Sequence, residues 1–237
     1  MSVRPWQKKK YLSEESSRTA ILAGIGSEYF PKLDLLKRYK RLIFIENESD
    51  KEVLTILGEK CGLPLPNEIV YWANTESHQT RRKIFDELKK IIPDLRCISL
   101  RDRDMDEPNS IGDGLEYKTI GLPHGSPILL LEWRRKNIES YLLCPNAIAR
   151  ATDQSVDNIK HHIQRNFALA IDDDGYMEAD PPEAIITSDG KHIFTAENIG
   201  LQVVYHCDKY KVAENMTADE VCEDIKTFLT RVRTLFA

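Results

Sequence analysis

The chain has 237 residues, 41% of them hydrophobic and 30% charged, with 11 Gly and 11 Pro. That balance excludes collagen-like, low-complexity and largely disordered chains, and the length suffices to bury a sizeable core. With 33 Lys and Arg against 38 Asp and Glu, the formal net charge is −5. No global basic field therefore draws the chain to a polyanion, and only a local patch can do so.

Five scattered cysteines form no C-x-x-C pair. They fit free thiols in a reducing cytosol better than a disulfide framework or a zinc site. The basic head, Met1 to Leu12, is followed by no apolar run of a secretory signal, and no stretch approaches the roughly 18 apolar residues of a membrane span. These features predict a cytoplasmic chain with no membrane partner.

Apolar spacing predicts a helix over 13–26 and, after Pro31 and the basic run Lys37 to Arg41, a buried strand at Leu42 to Glu46. Ser49 is read as the cap of a helix with Val53, Leu54, Ile56 and Leu57 on its apolar face, stopped by Gly62 and Pro64. A strand at Ile69 to Trp72, a helix from Gln79 to Ile92 and a strand at Leu95 to Leu100 follow. Beyond the Gly/Pro-rich stretch 108–127 come a strand at Ile128 to Leu131 and a helix from Asn137 to Leu143. Strand–helix alternation at this spacing predicts an α/β fold with a mostly parallel sheet flanked by helices. After Pro145 the sequence reads as helix-rich, with helices over 155–171 and 217–235 around a polar loop from Asp172 to Gly190. The organisation is thus a helical lead-in (1–40), an α/β core (41–145) and a helical C-terminal completion (146–237).

Carboxylates fall where such a sheet places ligands, at the carboxyl ends of the strands. Glu46 closes the first strand and Asp50 opens the next helix. Asp102 and Asp104 follow the third strand, where residues i and i+2 of an extended segment share a side. Glu139 lies in the first turn after the fourth strand. Clustered carboxylates stay ionised together when a cation sits among them, and all-oxygen ligands select Mg²⁺ or Mn²⁺. Two such ions about 4 Å apart stabilise both the attacking and leaving oxygens of a phosphoryl displacement. Ordinary loop decoration by 38 acidic residues is the competing explanation.

Other signals are weaker. Asp172-Asp173-Asp174-Gly175 lacks the alternating ligands and closing glutamate of an EF-hand and reads as a solvated turn. His161 and His162 diverge on a helix and chelate poorly. Gly190-Lys191 lacks the first glycine of a P-loop, because position 185 is Ile. Arg81-Arg82-Lys83 and Arg134-Arg135-Lys136 are placed to border the carboxylate edge and track phosphates, or else are solvated surface charge.

Taken in order, Ile-Phe-Ile-Glu46-Asn-Glu-Ser-Asp50, Leu-Arg-Asp102-Arg-Asp104 and Trp133-Arg-Arg-Lys-Asn-Ile-Glu139-Ser-Tyr-Leu-Leu resemble the Toprim domain of the OLD (overcoming lysogenization defect) family of ATP-dependent nucleases. A Gly-Lys pair in the C-terminal part, here Gly190-Lys191, belongs to the same pattern, and the likeness runs from about Leu35 to Phe236. The resemblance implies a Toprim-like, Rossmann-like sheet and a nuclease that cuts or nicks DNA with two Mg²⁺ or Mn²⁺ ions. It implies Glu46, Asp50, Asp102 and Asp104 as metal ligands, with Glu46 also an acid/base, and Glu139 as a further ligand or supporting group. Lys191 is implied as the cation that stabilises transition-state charge. An ABC- or AAA-type ATPase domain or subunit is the implied partner in a defence system, with room for a homo-oligomer; an interaction module silent without that ATPase is the alternative. At this length the chain holds little beyond the Toprim part, so a C-terminal piece of a longer protein or a separate subunit is expected. Two features depart from the pattern. Asn47 stands where relatives have Gly, and Asp106 and Glu107 offer alternative ligands.

Overall fold

The computed structural model describes residues 30–103, 111–178 and 181–237. The expected helix over 13–26, together with Asp104, Asp106 and Glu107, lies outside the described residues. Helix α1 (Phe30–Tyr39) leads into β1 (Arg41–Ile45), followed by α2 (Glu48–Lys60), β2 (Val70–Ala73), α3 (His78–Ile91), β3 (Arg96–Arg101) and β4 (Ile128–Glu132). A 3₁₀ turn at Ile138–Leu142 opens the C-terminal part. It continues as α4 (Pro145–Thr152), α5 (Val156–Phe167), α6 (Glu183–Thr187), α7 (Gly190–Thr195), α8 (Leu201–Val204), α9 (Lys209–Asn215) and α10 (Glu223–Phe236).

The four strands form a parallel sheet in the order β2-β1-β3-β4, which bears out the α/β expectation. The chain leaves β1 for β2 on one side and passes back to β3 on the other. Right-handed crossovers then put α2 and α3 on opposite faces. Alternation along the strands shows this directly. Ile43, Ile45, Ile98, Leu100 and Leu131 pack with Val53, Leu54 and Leu57 of α2, whereas Leu42, Phe44, Cys97 and Leu130 pack with Leu36 of α1 and with Phe85 and Leu88 of α3.

The core on the α2 side is continuous with the C-terminal helices, taking in Ile148, Ile159, Val212, Phe228 and Val232. Residues 146–237 therefore complete the sheet's own core and do not form a second one. Several elements depart from the sequence reading. Helix α1 occupies residues read as a connector, α5 stops at Phe167 because Ala168 turns left-handed (φ 54°), and the 172–190 segment carries α6 and the start of α7.

Candidate functional site at the carboxyl edge

Strands β1 and β3 are neighbours whose following connections diverge to opposite sides of the sheet, the switch point at whose carboxyl ends such sheets bind ligands. Glu46 follows β1 and Asp102 follows β3, so two expected ligands flank that switch point. Side-chain alternation sets their surroundings. Ile45 and Leu100 face α2, so Glu46 and Arg101 turn toward α3, as Glu132 at the end of β4 does. The result is a row of opposite charges across three strands. Arg101 Nε lies 3.6 Å from Glu46 Oε1, and Arg101 Nη1 lies 3.8 Å from Oε1 of the fully buried Glu132.

Arg81, in the first turn of α3, backs this row. It is completely buried, donates to the carbonyl of Leu100 at 2.6 Å and to the carbonyl of Asn74, and reaches Ser99 Oγ at 3.4 Å. Burial pushes its pKa down to about 10, partly offset by the charge of Glu46. Ser99 also meets Nδ1 of the buried His78 at 2.9 Å, and burial, reinforced by Arg81 and Arg101, lowers His78 to about 3.

The other two described ligand candidates form a separate pair. Asp50 and Glu139 face each other across the ammonium of Lys209 on α9, at 3.5 and 2.9 Å, and Lys209 also donates to Ser49 Oγ at 2.8 Å. Burial raises the Asp50 pKa, and Lys209 opposes that rise. Burial works against the Lys209 charge, but Glu139 and Asp50 outweigh it and raise its pKa. Asp50 also holds the start of its own helix. Its Oδ2 accepts the Asn47 N–H at 3.1 Å, so Asn47, and not Ser49, caps α2. Asn47 is extended (φ −128°), a conformation open to any residue, so the departure from glycine costs no backbone strain here.

The Gly-Lys pair sits beside this edge for a packing reason. A Cβ on Gly190 would lie 2.2 Å from the Ser140 nitrogen and 2.4 Å from the Glu139 carbonyl carbon, so α7 docks flush on the turn that carries Glu139. Asp189 clamps the junction, accepting from Lys136 Nζ at 2.7 Å, Asn137 Nδ2 at 3.0 Å and the His192 N–H at 3.1 Å. Lys191 is exposed on α7. Burial pushes the Asp189 carboxyl up, but its three donors outweigh that and hold it below the usual 3.8. A depressed carboxylate stabilises the fold above the unfolded pKa and loses that contribution as pH falls below it. Asp189→Asn is therefore expected to be less stable than the parent at pH 7, with the difference in Tm closing as pH drops below about 4. A Tm gap that stays constant across the acid range would contradict the clamp.

The basic clusters need correction. Arg81 and Arg135 cannot track phosphates, because both are buried and hold backbone carbonyls. Arg135 donates to the carbonyls of Ser140 and Gly175, at 3.1 and 3.2 Å, and to that of Tyr176. Arg134 pairs with the buried Asp224 at 3.3 Å, and Lys136 is held by Asp189. Of the six expected contacts, Arg82 is half-buried at the edge and Lys83 is exposed. Sequence reasoning missed Glu132, Lys209 and His78. The charge closing the apolar run Ile-Leu-Leu-Leu-Glu132 was the available signal for the first.

Among the described residues, no three acidic, His or Cys side chains close on one point. The donors nevertheless suit a hard divalent ion. They are all carboxylates, and Asp50 and Glu139 share one cation, the ammonium of Lys209. No family model matches the chain, and no curated protein and no solved structure is significantly similar to it. No helix among the described residues is long and apolar enough to cross a membrane.

Proposed function

We propose that the chain is a metal-dependent endonuclease or nickase acting on DNA, the nuclease part of an ATPase-coupled system. The observation that carries this reading is the position of Glu46 and Asp102 at the ends of the two strands that flank the switch point of a parallel sheet. Their carboxylates would hold Mg²⁺ or Mn²⁺, with Asp50 and Glu139 offering a second position. A divalent ion bound there supplies charge neutralisation at the scissile phosphate. The chain's own cations contribute the rest. Arg101 orients Glu46, Lys191 presents an exposed ammonium beside the Glu139 turn, and Arg82 and Lys83 offer charges that position the phosphate backbone.

Supercoiled plasmid incubated with the chain, alone and with a co-expressed ATPase, tests the reading. Nicking that needs Mg²⁺ or Mn²⁺ and stops on chelation is the expected result. No cleavage under any of these conditions would refute it.

A specific observation also favours the alternative of a module silent without its partner: Lys209 already balances Asp50 and Glu139. Lys209→Met removes the shared partner of two mostly buried carboxylates and is expected to cost about 2 kcal/mol, less than a fully buried pair because the ammonium keeps some solvent contact. If Lys209 stands where a cation belongs, millimolar Mg²⁺ restores much of the lost Tm in the variant and shifts the parent little. Equal Mg²⁺ responses in the two proteins would remove this support for the silent module.

A further inference from the structure

Beside the carboxylate row lies a cavity of about 370 Å³ that none of the described expected ligands lines. Its walls include Ser77, His78, Arg82, Arg101, Tyr117 and Thr119, and among the described residues no Asp or Glu lines it. It opens at the N-terminus of α3, a 14-residue helix capped by Ser77, whose Oγ accepts the Thr80 N–H at 3.3 Å. The first N–H groups of a helix have no intrahelical acceptor and carry the positive end of its dipole.

Two independent features point to an anionic occupant. Arg82 lies on the wall and forms no ion pair among the described residues, and Arg101, already paired with Glu46 and Glu132, also borders the cavity. A rigid fork of N–H donors matches phosphate oxygens in pairs. The second feature is His78, which is only 2% exposed. Arg81 Nη1 donates to Ser99 Oγ at 3.4 Å, and the same hydroxyl lies 2.9 Å from His78 Nδ1. His78 Nε2 is buried with no hydrogen-bond partner among the described residues. Where the Ser99 hydroxyl donates to Nδ1, Nε2 carries the proton, and a buried donor without an acceptor calls for one from a ligand. Tyr117, whose ring centre is 5.0 Å from that of His78, and Ile120 add apolar wall, giving room for a sugar ring beyond the charged end.

We propose that this cavity binds a phosphomonoester, with its phosphate at the α3 N-terminus between Arg82, Arg101 and His78 Nε2. Two sources carry that chemistry: the terminal phosphate of a nucleic-acid strand, and a free nucleotide. Binding needs no divalent ion and no cleavage, so it stands or falls separately from the nuclease reading.

The test uses the full chain with chelator present and ionic strength held constant, because backbone affinity is salt-dependent. Fluorescence anisotropy compares the same single-stranded oligonucleotide with a 5′-phosphate, a 3′-phosphate or only hydroxyl ends, each competed with inorganic phosphate and with AMP. A phosphorylated end is expected to bind about tenfold more tightly than hydroxyl ends. Arg82→Gln should abolish that preference without lowering Tm. His78→Gln, which keeps a donor, should retain part of it. AMP competing as strongly as the phosphorylated oligonucleotide would support the proposal with a free nucleotide as the source, and weaker AMP competition would assign it to strand ends. Equal affinity for all three oligonucleotides, or a preference untouched in Arg82→Gln, would overturn it.

Discussion

Glu46→Gln and Asp102→Asn are each expected to lower metal-dependent nicking at least about 100-fold, since even residues that merely support a ligand are worth 10- to 100-fold. Both substitutions keep shape and remove charge, so their effect on the fold separates from their effect on chemistry. Glu46 shares Arg101 with Glu132, and Glu46→Gln leaves that guanidinium with one carboxylate still beside it. A Tm change of no more than a few degrees is therefore expected alongside the loss of cleavage. The plasmid assay, run with each variant at its own folded fraction, reads the first quantity, and thermal unfolding reads the second. Parent-like nicking by both variants would mean that the strand-end carboxylates are not the reacting centre, whatever the sheet's topology.

The sheet was legible because parallel strands buried on both faces read as short, unbroken apolar runs, such as Leu42 to Ile45 and Ile128 to Leu131. Their bounds were expected within a residue or two. The C-terminal elements were less legible for a physical reason. Helices such as α8 and α9 are too short to show a hydrophobic period, and their positions follow from docking on the α2 face.

Sequence order located the strand-end carboxylates but not their partners. Lys209 lies 70 residues from Glu139 and meets it only through the packing of α9, and no spacing rule reaches that far. The Trp133 to Leu142 segment illustrates a different gap. Trp133 stacks near Tyr141 and Phe228, with ring centres 5.2 and 5.4 Å apart, and the Tyr141 hydroxyl donates to Asp224 at 2.7 Å. Most of this motif therefore knits the edge to α10, and Glu139 is its one carboxylate. Basic runs were misread for the same reason. A triplet on a helix or a turn points its members in different directions, so Arg81 turns into the core while Lys83 faces water.

Arg81→Met is expected to destabilise the fold by about 4 kcal/mol, the cost of leaving two buried carbonyls without donors. At this chain length that corresponds to a fall in Tm of about 10 °C. Arg81 binds the carbonyl of Asn74 after β2 and that of Leu100 in β3, so one guanidinium fastens α3 to two strand ends that straddle β1. Methionine fills much of the volume but cannot donate, and the nearby Glu46 and Asp102 lose a compensating charge. Arg81→Lys separates these contributions. It keeps the charge, yet an ammonium cannot reproduce the fork that spans three acceptors, so an intermediate loss is expected. The ordering Arg, then Lys, then Met in thermal and denaturant unfolding would tie stability to that fork. If Met matched the parent, the edge would be held by the hydrophobic layer of Phe85 and Leu88 alone, and the charge row above it would have no structural role.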